Sequence, residues 1–505
     1  MDTSQKQSLD FIYNQQKELS VLGGIGALLG WDQMTYMPAK GAQERGEQTA
    51  LLSSLAHKRV VSDEFWNHIS TLSKKSVFYS LSTEDQHVVK RLKKDVEKSR
   101  KIPDDFVKRS AKITTMAYPA WQQARNQNDF NVFQPHLEKI IDLEKEYVGY
   151  IDLPGPSYDT LLDDYEEGMT TQKLRTEFSS LKKNLKKILD NVLSSETYHQ
   201  QQNLSITFTK NIQQQICQQI FDQMNLPNDA SRIDESTHPF TTSLGNDDVR
   251  ITTNYERKNP LFSFFSTVHE AGHALYELGM PTGKFKNTVI ADSPSLGLHE
   301  SQSRFWENMI ARSKPFWEYY YPEFKKQAGS QLNNIRFETW YHHVNRVKPS
   351  FIRVEADELT YCLHVILRFE LESELMQEKL TVSELPQAWN EKMEESLGIT
   401  PSTDTEGVLQ DMHWSGGSIG YFPTYALGTI YAAQLFHQLK KDQPETIEQI
   451  QNGEFSHILT WLREHVHQYG RLMTAEEIIK QICGEGLNAD VFIQYLNKKY
   501  LDLYV

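Results

Sequence analysis

The segment TVHEAGHALYELG (267–279) places three polar side chains, His269, Glu270 and His273, inside a run that is mostly apolar or small. The apolar positions around them recur at helical spacing: Leu261, Phe264, Phe265, Val268, Ala271, Leu275 and Leu278. Polar groups in apolar surroundings are costly unless they are satisfied. The segment therefore predicts a buried helix whose polar trio faces a common partner.

A metal ion is the partner that this spacing favours. Residues four apart lie on one face of a helix, so His269 and His273 can both direct a ring nitrogen at one ion. Glu270 is rotated by about 100° from His269, which puts it beside the ion, where it can accept a proton from water. The pattern is H-E-x-x-H, and a catalytic zinc normally has three protein ligands and one open position.

The third ligand is not fixed by this motif. A metzincin site would need Gly at 276 and His at 279, but the chain has Tyr276 and Gly279. A glutamate on a following helix would give the His₂Glu set of thermolysin-type sites. The segment SLGLHESQSRFWENMIARS (295–313) is helical in pattern and contains both Glu300 and Glu307. The spacing favours Glu300 only weakly, so both remain candidates at this point.

The rest of the chain predicts a large, mainly helical body with a small sheet. LKKNLKKILDNVL (181–193) carries a single apolar stripe, typical of a helix that covers a core. Two segments, 204–209 and 248–255, are rich in β-branched residues and predict strands. The stretch GGIGALLG (23–30) is not a phosphate loop, because no predicted strand precedes it and no G-K-S/T follows.

Composition excludes some classes of function. The net charge of −14 argues against nucleic acid as the main partner. The three cysteines, Cys217, Cys362 and Cys483, are far apart and predict a reducing compartment without disulfides. The N-terminus lacks the layout of a signal peptide, and the longest apolar run, residues 21–31, is too short for a membrane span. We therefore expect a cytoplasmic protein without a membrane anchor.

Six separated blocks, in order, resemble the M32 family of metallocarboxypeptidases. HEAGHALYELG and LHESQSRFWEN surround the predicted metal site. The other blocks are WDQMTYMPAKGAQERGEQTALLSSLAHKR (31–59), HPF (238–240) with DVRITT (248–253), IRVEADELTY (352–361) and GVLQDMHWSGGSIGYFPTYALG (407–428). Together they run from residue 31 to residue 428, so the resemblance covers most of the chain.

The resemblance implies a mainly α fold, a single peptidase domain over 1–505 with a deep central cleft, edged by a small sheet and lined by motifs within 238–425. It implies removal of single residues from peptide C-termini with broad specificity, usually by a homodimer. It also implies one divalent ion per chain, usually zinc or cobalt, although a His₂Glu set suits manganese as well. It assigns the third ligand to Glu300 over Glu307.

In the implied reaction the ion activates water and polarises the peptide carbonyl, and Glu270 is the general base. A carboxypeptidase must also recognise a terminal carboxylate, which the planar fork of arginine suits. Arg353 is the candidate, in a segment expected to be helical, and the competing interpretation is an ion pair with Asp357 four residues on. Arg250 and Arg304 are rivals, and Arg304 could instead support the metal ligands.

Other polar residues of the blocks are candidate substrate contacts. Tyr421 follows a glycine-rich loop and could donate a hydrogen bond to the developing oxyanion, with Tyr425 as the alternative. His238 and His413 are possible oxyanion or substrate contacts. The segment 248–253 is expected to be an edge strand that pairs with an extended peptide. Its polar residues would then shape the cleft: Asp248, Arg250 and Thr252.

Two alternatives share parts of this pattern. A helical oligopeptidase would use the same metal chemistry to cleave internal bonds. A non-catalytic helical protein would use the metal for stability or bind none. Blocking the C-terminus of a substrate separates the first from a carboxypeptidase, and Glu270→Gln would leave the second unaffected.

Overall fold

The computed structural model describes residues 2–201 and 204–505. The N-terminal helices contain a small core of their own, formed by Ile12, Phe65, Ile69, Leu72, Val77, Leu81, Val89, Leu92 and Val96. GGIGALLG lies inside the first helix, which agrees with its rejection as a phosphate loop. The helices are α1 (Thr3–Thr35), α2 (Ala42–Val60), α3 (Asp63–Leu72), α4 (Lys75–Phe78) and α5 (Thr83–Arg100).

The next helices belong to the main body. They are α6 (Asp104–Gln127), α7 (Gln134–Ile151), α8 (Ser157–Tyr165), α9 (Thr171–Leu193), α10 (Glu196–Gln200) and α11 (Lys210–Gln223). The predicted apolar stripe is confirmed in α9, where Leu181, Leu185, Ile188, Leu189 and Val192 are all buried. The helix starts where the side chain of Thr170 accepts a hydrogen bond from the backbone N–H of Lys173, an N-cap.

A three-stranded sheet follows, and two of the sequence predictions about it are wrong. The strands are β1 (Ser231–Glu235), β2 (Thr241–Gly245) and β3 (Asp248–Thr253), in the order β1-β3-β2. Residues 204–209 are not a strand: they bond to loop and side-chain groups, such as Phe208 N–H to the carbonyl of Arg257. β3 is the central strand and not an edge, because β1 pairs with it in parallel and β2 antiparallel.

The helices after the sheet carry the predicted metal ligands. They are α12 (Pro260–Glu277), α13 (Leu296–Arg304), α14 (Lys314–Ala328), α15 (Phe337–Val344), α16 (Tyr361–Met376) and α17 (Leu385–Leu397). The predicted helix at 295–313 changes type along its length, because a π-helix, Phe305–Ala311, continues α13. Residues around Arg353 are not the expected helix but a 3₁₀ turn, Arg353–Glu355, ahead of α16.

The C-terminal helices close the main core. They are α18 (Pro423–Asp442), α19 (Thr446–Gln451), α20 (Ser456–His465), α21 (Ala475–Cys483) and α22 (Ala489–Tyr504). One apolar cluster runs from α6 to α22, so the motif-bearing region and the C-terminal helices form a single helical body. Within residues 2–201 and 204–505, no helix has both the length and the apolar character needed to cross a membrane.

Candidate metal centre

The H-E-x-x-H helix is confirmed as α12, and it is buried as predicted. Pro260 occupies the first turn, where its missing N–H costs nothing, and Phe264, Val268 and Leu275 are fully or almost fully buried. His269 and His273 keep 19% and 12% of their side-chain surface exposed. The two imidazoles therefore lie at the boundary between the core and solvent, where an ion can reach them.

Glu300 completes a ligand set with the two histidines. Its Oε2 lies 3.6 Å from Nε2 of His269 and 3.4 Å from Nε2 of His273. Ligand atoms of the three residues all lie within 4.8 Å of one another. α13 starts at the N-cap Ser295, which accepts the N–H of Leu298, and this cap fixes where Glu300 falls on its helix.

Two glycines let these helices approach. A Cβ at Gly272 would lie 2.7 Å from the carbonyl oxygen of Gln302 and 2.8 Å from Cα of Ser303. A Cβ at Gly428, on α18, would lie 2.6 Å from Cγ of Glu300. Both positions therefore need glycine, and α13, which carries Glu300, is held between α12 and α18.

The chemistry of the donor set fits a divalent cation. Burial and the charge of the neighbouring His299 lower the pKa of His273 to about 3, so this imidazole is neutral and free to bind a metal. Burial alone would raise the pKa of Glu300, but Arg304 and the histidines hold it well below the usual range. Two imidazoles and one carboxylate are the donor types of the His₂Glu set of zinc peptidases.

Glu307 lies outside the candidate ligand set of His269, His273 and Glu300 but contacts one of its members. Its Oε2 lies 2.9 Å from Nδ1 of His269, the ring nitrogen on the side away from Glu300. Arg304 and Arg312 also contact the Glu307 carboxylate, at 3.2 Å and 3.0 Å. A carboxylate on the distal nitrogen fixes the orientation of a metal-binding imidazole. Arg304 also contacts Glu300, at 2.7 Å, so it supports the proposed ligand Glu300 as well as Glu307.

His273 is supported differently. Its Nδ1 is buried and has no hydrogen-bond partner among the described residues. Instead the ring of His299 stacks on it, with 4.4 Å between ring centroids and 23° between planes. His299 is in turn fixed by Glu277, whose Oε1 lies 2.8 Å from its Nε2.

Glu270 points toward the sheet. Thr241, the first residue of β2, donates its hydroxyl to Oε2 of Glu270 at 2.6 Å, and it also lies 2.9 Å from the Glu270 carbonyl oxygen. Burial raises the pKa of Glu270, although His269 and the Thr241 hydroxyl oppose the shift. A carboxylate with a raised pKa beside a metal site is suited to taking up and releasing a proton near neutral pH.

Arg353 pairs with Asp411 and not with Asp357, so the ion pair of the competing interpretation is present but with another partner than the i,i+4 residue. Nε and Nη2 of Arg353 donate to Oδ1 of Asp411 at 3.1 Å and 3.0 Å, and Nη1 donates to the hydroxyl of Tyr361 at 3.1 Å. The 3₁₀ turn directs Asp357 elsewhere, where it accepts the backbone N–H groups of Lys348 and Thr360.

Arg353 is linked to the metal ligands through Tyr361. The guanidinium carbon of Arg304 lies 4.4 Å from the centroid of the Tyr361 ring, and Tyr361 bonds to Arg353. Arg304 in turn holds Glu300. The predicted carboxylate-binding arginine and the predicted metal ligands therefore belong to one continuous polar network.

Three further candidates surround Arg353. Its guanidinium carbon lies 4.8 Å from the ring centroid of Tyr425. His413 places Nε2 3.3 Å from the Tyr425 hydroxyl, and its ring centroid lies 5.3 Å from that of Tyr421. Burial raises the pKa of Tyr421, so its phenol keeps its proton. The structure brings Arg353, His413, Tyr421 and Tyr425 together.

Two candidates lie apart from this cluster. Arg250 makes a two-point ion pair with Asp248 on its own strand, at 2.9 Å and 2.8 Å, and stacks over Trp31 of α1 at 4.4 Å. The side chain of His238 is exposed, and none of its contacts among the described residues reaches the metal ligands. The site roles predicted for these two residues remain predictions.

Four supporting residues were given no role from the sequence: Thr241, Asp411, Glu277 and His299. Asp411 lies in the QDMHW block, and His299 directly precedes Glu300. Their positions within the motifs were the sequence signal that could have identified these two residues. Nothing in the sequence connects Thr241 to Glu270 or Glu277 to His299.

Comparisons with known proteins agree along the whole chain. The sequence model of the Carboxypeptidase Taq (M32) metallopeptidase family matches residues 11–500. The chain is 38% identical to carboxypeptidase 1 of Bacillus subtilis, covering 100% of this chain and 99% of that protein. It is 39% identical to thermostable carboxypeptidase 1 of Pyrococcus furiosus, covering 98% of this chain and 99% of that protein.

Solved structures show the same fold. The M32 carboxypeptidase from Deinococcus radiodurans R1 matches with a TM-score of 0.95 and 36% identity, covering 99% of each chain. Metallocarboxypeptidase 1 of Trypanosoma cruzi matches with a TM-score of 0.94 and 32% identity, covering 98% of this chain and 99% of that one.

Proposed function

The chain belongs to the Carboxypeptidase Taq (M32) family of metallopeptidases and is a metal-dependent carboxypeptidase, and from this premise we propose which residues perform the reaction. The observation that carries the proposal is the convergence of His269, His273 and Glu300 beside Glu270. The three would hold one divalent ion, zinc in the first instance, with cobalt or manganese as substitutes. The family relationship does not favour internal cleavage or a non-catalytic role.

A divalent ion in this donor set supplies Lewis-acid chemistry to the peptide carbonyl and to water. Glu270 accepts the proton of the attacking water and delivers it to the leaving amine. The Thr241 hydroxyl fixes the orientation of the Glu270 carboxylate. Tyr421 donates its phenolic proton as a hydrogen bond to the oxygen that becomes negatively charged, with Tyr425 as the alternative donor.

Arg353 recognises the terminal carboxylate of the peptide. Three of its N–H groups bond to Asp411 and Tyr361, which leaves two of the five for a ligand. Asp411 fixes the plane of the guanidinium, so little side-chain freedom is lost on binding. His413 stands against Tyr425 and forms part of the same wall. We also propose that His238 and Arg250 contribute to substrate binding, outside the cluster around Arg353.

We propose broad specificity for the released residue, a homodimer, and a single peptidase domain over 1–505 with its motifs within 238–425. A reducing, cytoplasmic compartment is supported by the three cysteines, of which Cys217 and Cys362 are buried thiols.

Mass spectrometry of one short peptide tests the proposed reaction. The peptide is incubated with a free C-terminus, with an amidated C-terminus, and with a chelator added. We expect stepwise loss of C-terminal residues from the free form only, abolished by the chelator and restored by zinc or cobalt. Internal cuts in both forms would reject the role of Arg353, and cleavage that survives the chelator would reject the metal site.

A further inference from the structure

The loop between α17 and α18 is held at two points by one buried carboxylate. Glu372, on α16, is fully buried. Its Oε1 accepts the indole N–H of Trp414 at 2.7 Å, and its Oε2 accepts the backbone N–H of Gly420 at 2.9 Å. Oε2 also accepts the hydroxyl of Tyr158, on α8, at 2.6 Å. Burying a carboxylate is costly unless it is hydrogen-bonded, and these three donors offset that cost.

The two loop donors are chain neighbours of residues that are proposed to act on the substrate. Trp414 directly follows His413, and Gly420 directly precedes Tyr421. His413 begins the 3₁₀ turn His413–Gly416, and α18 begins two residues after Tyr421. The bonds to Glu372 therefore restrain the backbone next to both of these side chains.

The segment between the two bonds needs such restraint because it is rich in glycine. Residues 416, 417 and 420 are glycines, and glycine has more conformational freedom to lose on folding than any other residue. Gly417 and Gly420 adopt φ values of 77° and 91°, in the left-handed region. A Cβ at Gly420 would lie 3.1 Å from the carbonyl oxygen of Leu161, so the loop also packs closely against α8.

We propose that Glu372 is a positioning residue, which sets where the imidazole of His413 and the phenol of Tyr421 lie relative to the metal centre. The proposal rests on the proposed function, since Glu372 acts only through the roles given to those two residues. On another side, Tyr421 meets the ring of Tyr165 edge to face, with 5.4 Å between ring centroids.

An ionised carboxylate satisfies both loop contacts, and an amide cannot. The N–H groups of Trp414 and Gly420 are obligatory donors, and they approach different oxygens of Glu372. Glutamine would present its NH₂ group to one of these donors, whichever way its amide is turned. Burial raises the pKa of Glu372 to about 7, so measurements at pH 8.5 keep the carboxylate ionised.

Glu372→Gln should lower kcat at pH 8.5 about 10- to 100-fold, because a displaced phenol is no longer aligned with the developing oxyanion. KM should change less than kcat. Zinc affinity, measured by competition with a chromophoric chelator, should stay within about twofold of wild type, since the proposed ligands lie on α12 and α13. A loss of zinc affinity that parallels the loss of kcat would mean a general disruption and would overturn the proposal.

Trp414→Phe and Tyr158→Phe are a matched pair, because each removes one donor from the same carboxylate and keeps an aromatic ring. Only the first donor belongs to the loop, so Trp414→Phe should lower kcat at least fivefold more than Tyr158→Phe. Equal losses would overturn the proposal, and this comparison decides the question even if Glu372→Gln does not fold.

The double variant E372Q/W414F adds a rescue. Its amide oxygen can accept the N–H of Gly420, and its NH₂ group no longer faces an indole N–H. We therefore expect kcat of the double variant to rise above that of E372Q and to approach that of W414F. A double variant no more active than E372Q would count against the proposed hydrogen-bond geometry and overturn the proposal.

Crystal structures of wild type and Glu372→Gln separate this proposal from the proposed function. Cα atoms of residues 413–421 should shift by about 1 Å in the variant, a displacement large enough to affect catalysis, while α12 and α13 stay in place. A loop that does not move would overturn the proposal, whatever the kinetics. If the loop moves but Tyr421→Phe keeps full kcat, the positioning by Glu372 is supported and the oxyanion role of Tyr421 is rejected.

Discussion

Nδ1 of His269 lies 2.9 Å from the carboxylate of Glu307, whereas Nδ1 of His273 has no partner among the described residues. The two proposed histidine ligands are thus held by different means. A hydrogen-bonded carboxylate orients the first, and the parallel ring of His299 supports the second. The two supports can be removed independently.

Glu307→Gln should weaken metal binding about 10- to 100-fold, because the amide no longer holds the His269 ring as a charged acceptor does. Competition with a chromophoric chelator, using zinc or cobalt, measures the affinity directly. Glu338→Gln, at an exposed carboxylate, is the control. Equal affinities for wild type and Glu307→Gln would show that Glu307 plays no part in orienting the ligand.

His299→Ala should lower metal affinity by removing the ring that stacks on His273, while His299→Phe keeps a flat ring there and should lose less. The visible spectrum of the cobalt-loaded protein reports the ligand geometry without any turnover. If Ala and Phe behave alike, stacking is not what supports His273.

Glu270→Gln should reduce kcat by about 10² to 10⁴, because the amide cannot accept the proton of water. Metal affinity should stay near that of wild type, since Glu270 is not a ligand. Steady-state kinetics and the chelator assay are run on the same preparation. A large loss of metal in this variant would contradict the separation of base from ligands.

Arg353→Gln and Arg368→Gln form a matched pair for the carboxylate-binding role. Both guanidiniums bond to Asp411, and both are buried. Each loss leaves buried charge unbalanced, so each should destabilise the fold by about 3–5 kcal/mol in urea unfolding. Only Arg353→Gln should raise KM strongly for free peptides at temperatures where both variants are folded. Equal kinetic losses would make Arg353 purely structural.

Glu144→Gln should change how stability depends on pH. Burial and the carboxylates of Asp164 and Glu372 raise the pKa of Glu144 to about 8, so its folded-state pKa is above its unfolded value. Its stabilising contribution is present at pH 4 and is lost as pH rises toward 8. Wild type should therefore lose up to about 3 kcal/mol relative to Glu144→Gln between pH 5 and pH 8.

Urea unfolding at pH 5, 6.5 and 8 measures this difference. Glu138→Gln, at an exposed position on the same helix, is the control. A constant offset between wild type and Glu144→Gln would mean that the carboxyl titrates normally.

The sequence correctly predicted helices that bury a single face, such as α9, and helices that are apolar along most of their length, such as α12. The α9 stripe and the apolar run of α12 follow from local periodicity alone, and His269 and His273 needed only the i,i+4 rule. The ligand role of Glu300 came from the family resemblance, since its spacing from α12 did not distinguish it from Glu307.

The contacts that the sequence did not predict join residues far apart along the chain. Arg353 and Asp411 are 58 positions apart, and Thr241 and Glu270 are 29 apart. Local patterns favoured the nearer Asp357 as a partner because they cannot anticipate a 3₁₀ turn. Residues 204–209 have strand-forming side chains but no neighbouring strand to pair with in the described structure, so tertiary context overrode propensity.

A Cβ at Gly428 would overlap the side chain of Glu300, and a Cβ at Gly272 would overlap the backbone of Gln302 and Ser303 on the same helix, α13. A single added methyl at either position must therefore push on α13, the helix that carries the proposed ligand Glu300. Substitution of either glycine by alanine is therefore a way to alter metal exchange through the steric effect of one added carbon atom. The chemical identity of the ligands stays the same. The same tightness limits which sequences evolution can explore here while the enzyme keeps its ion.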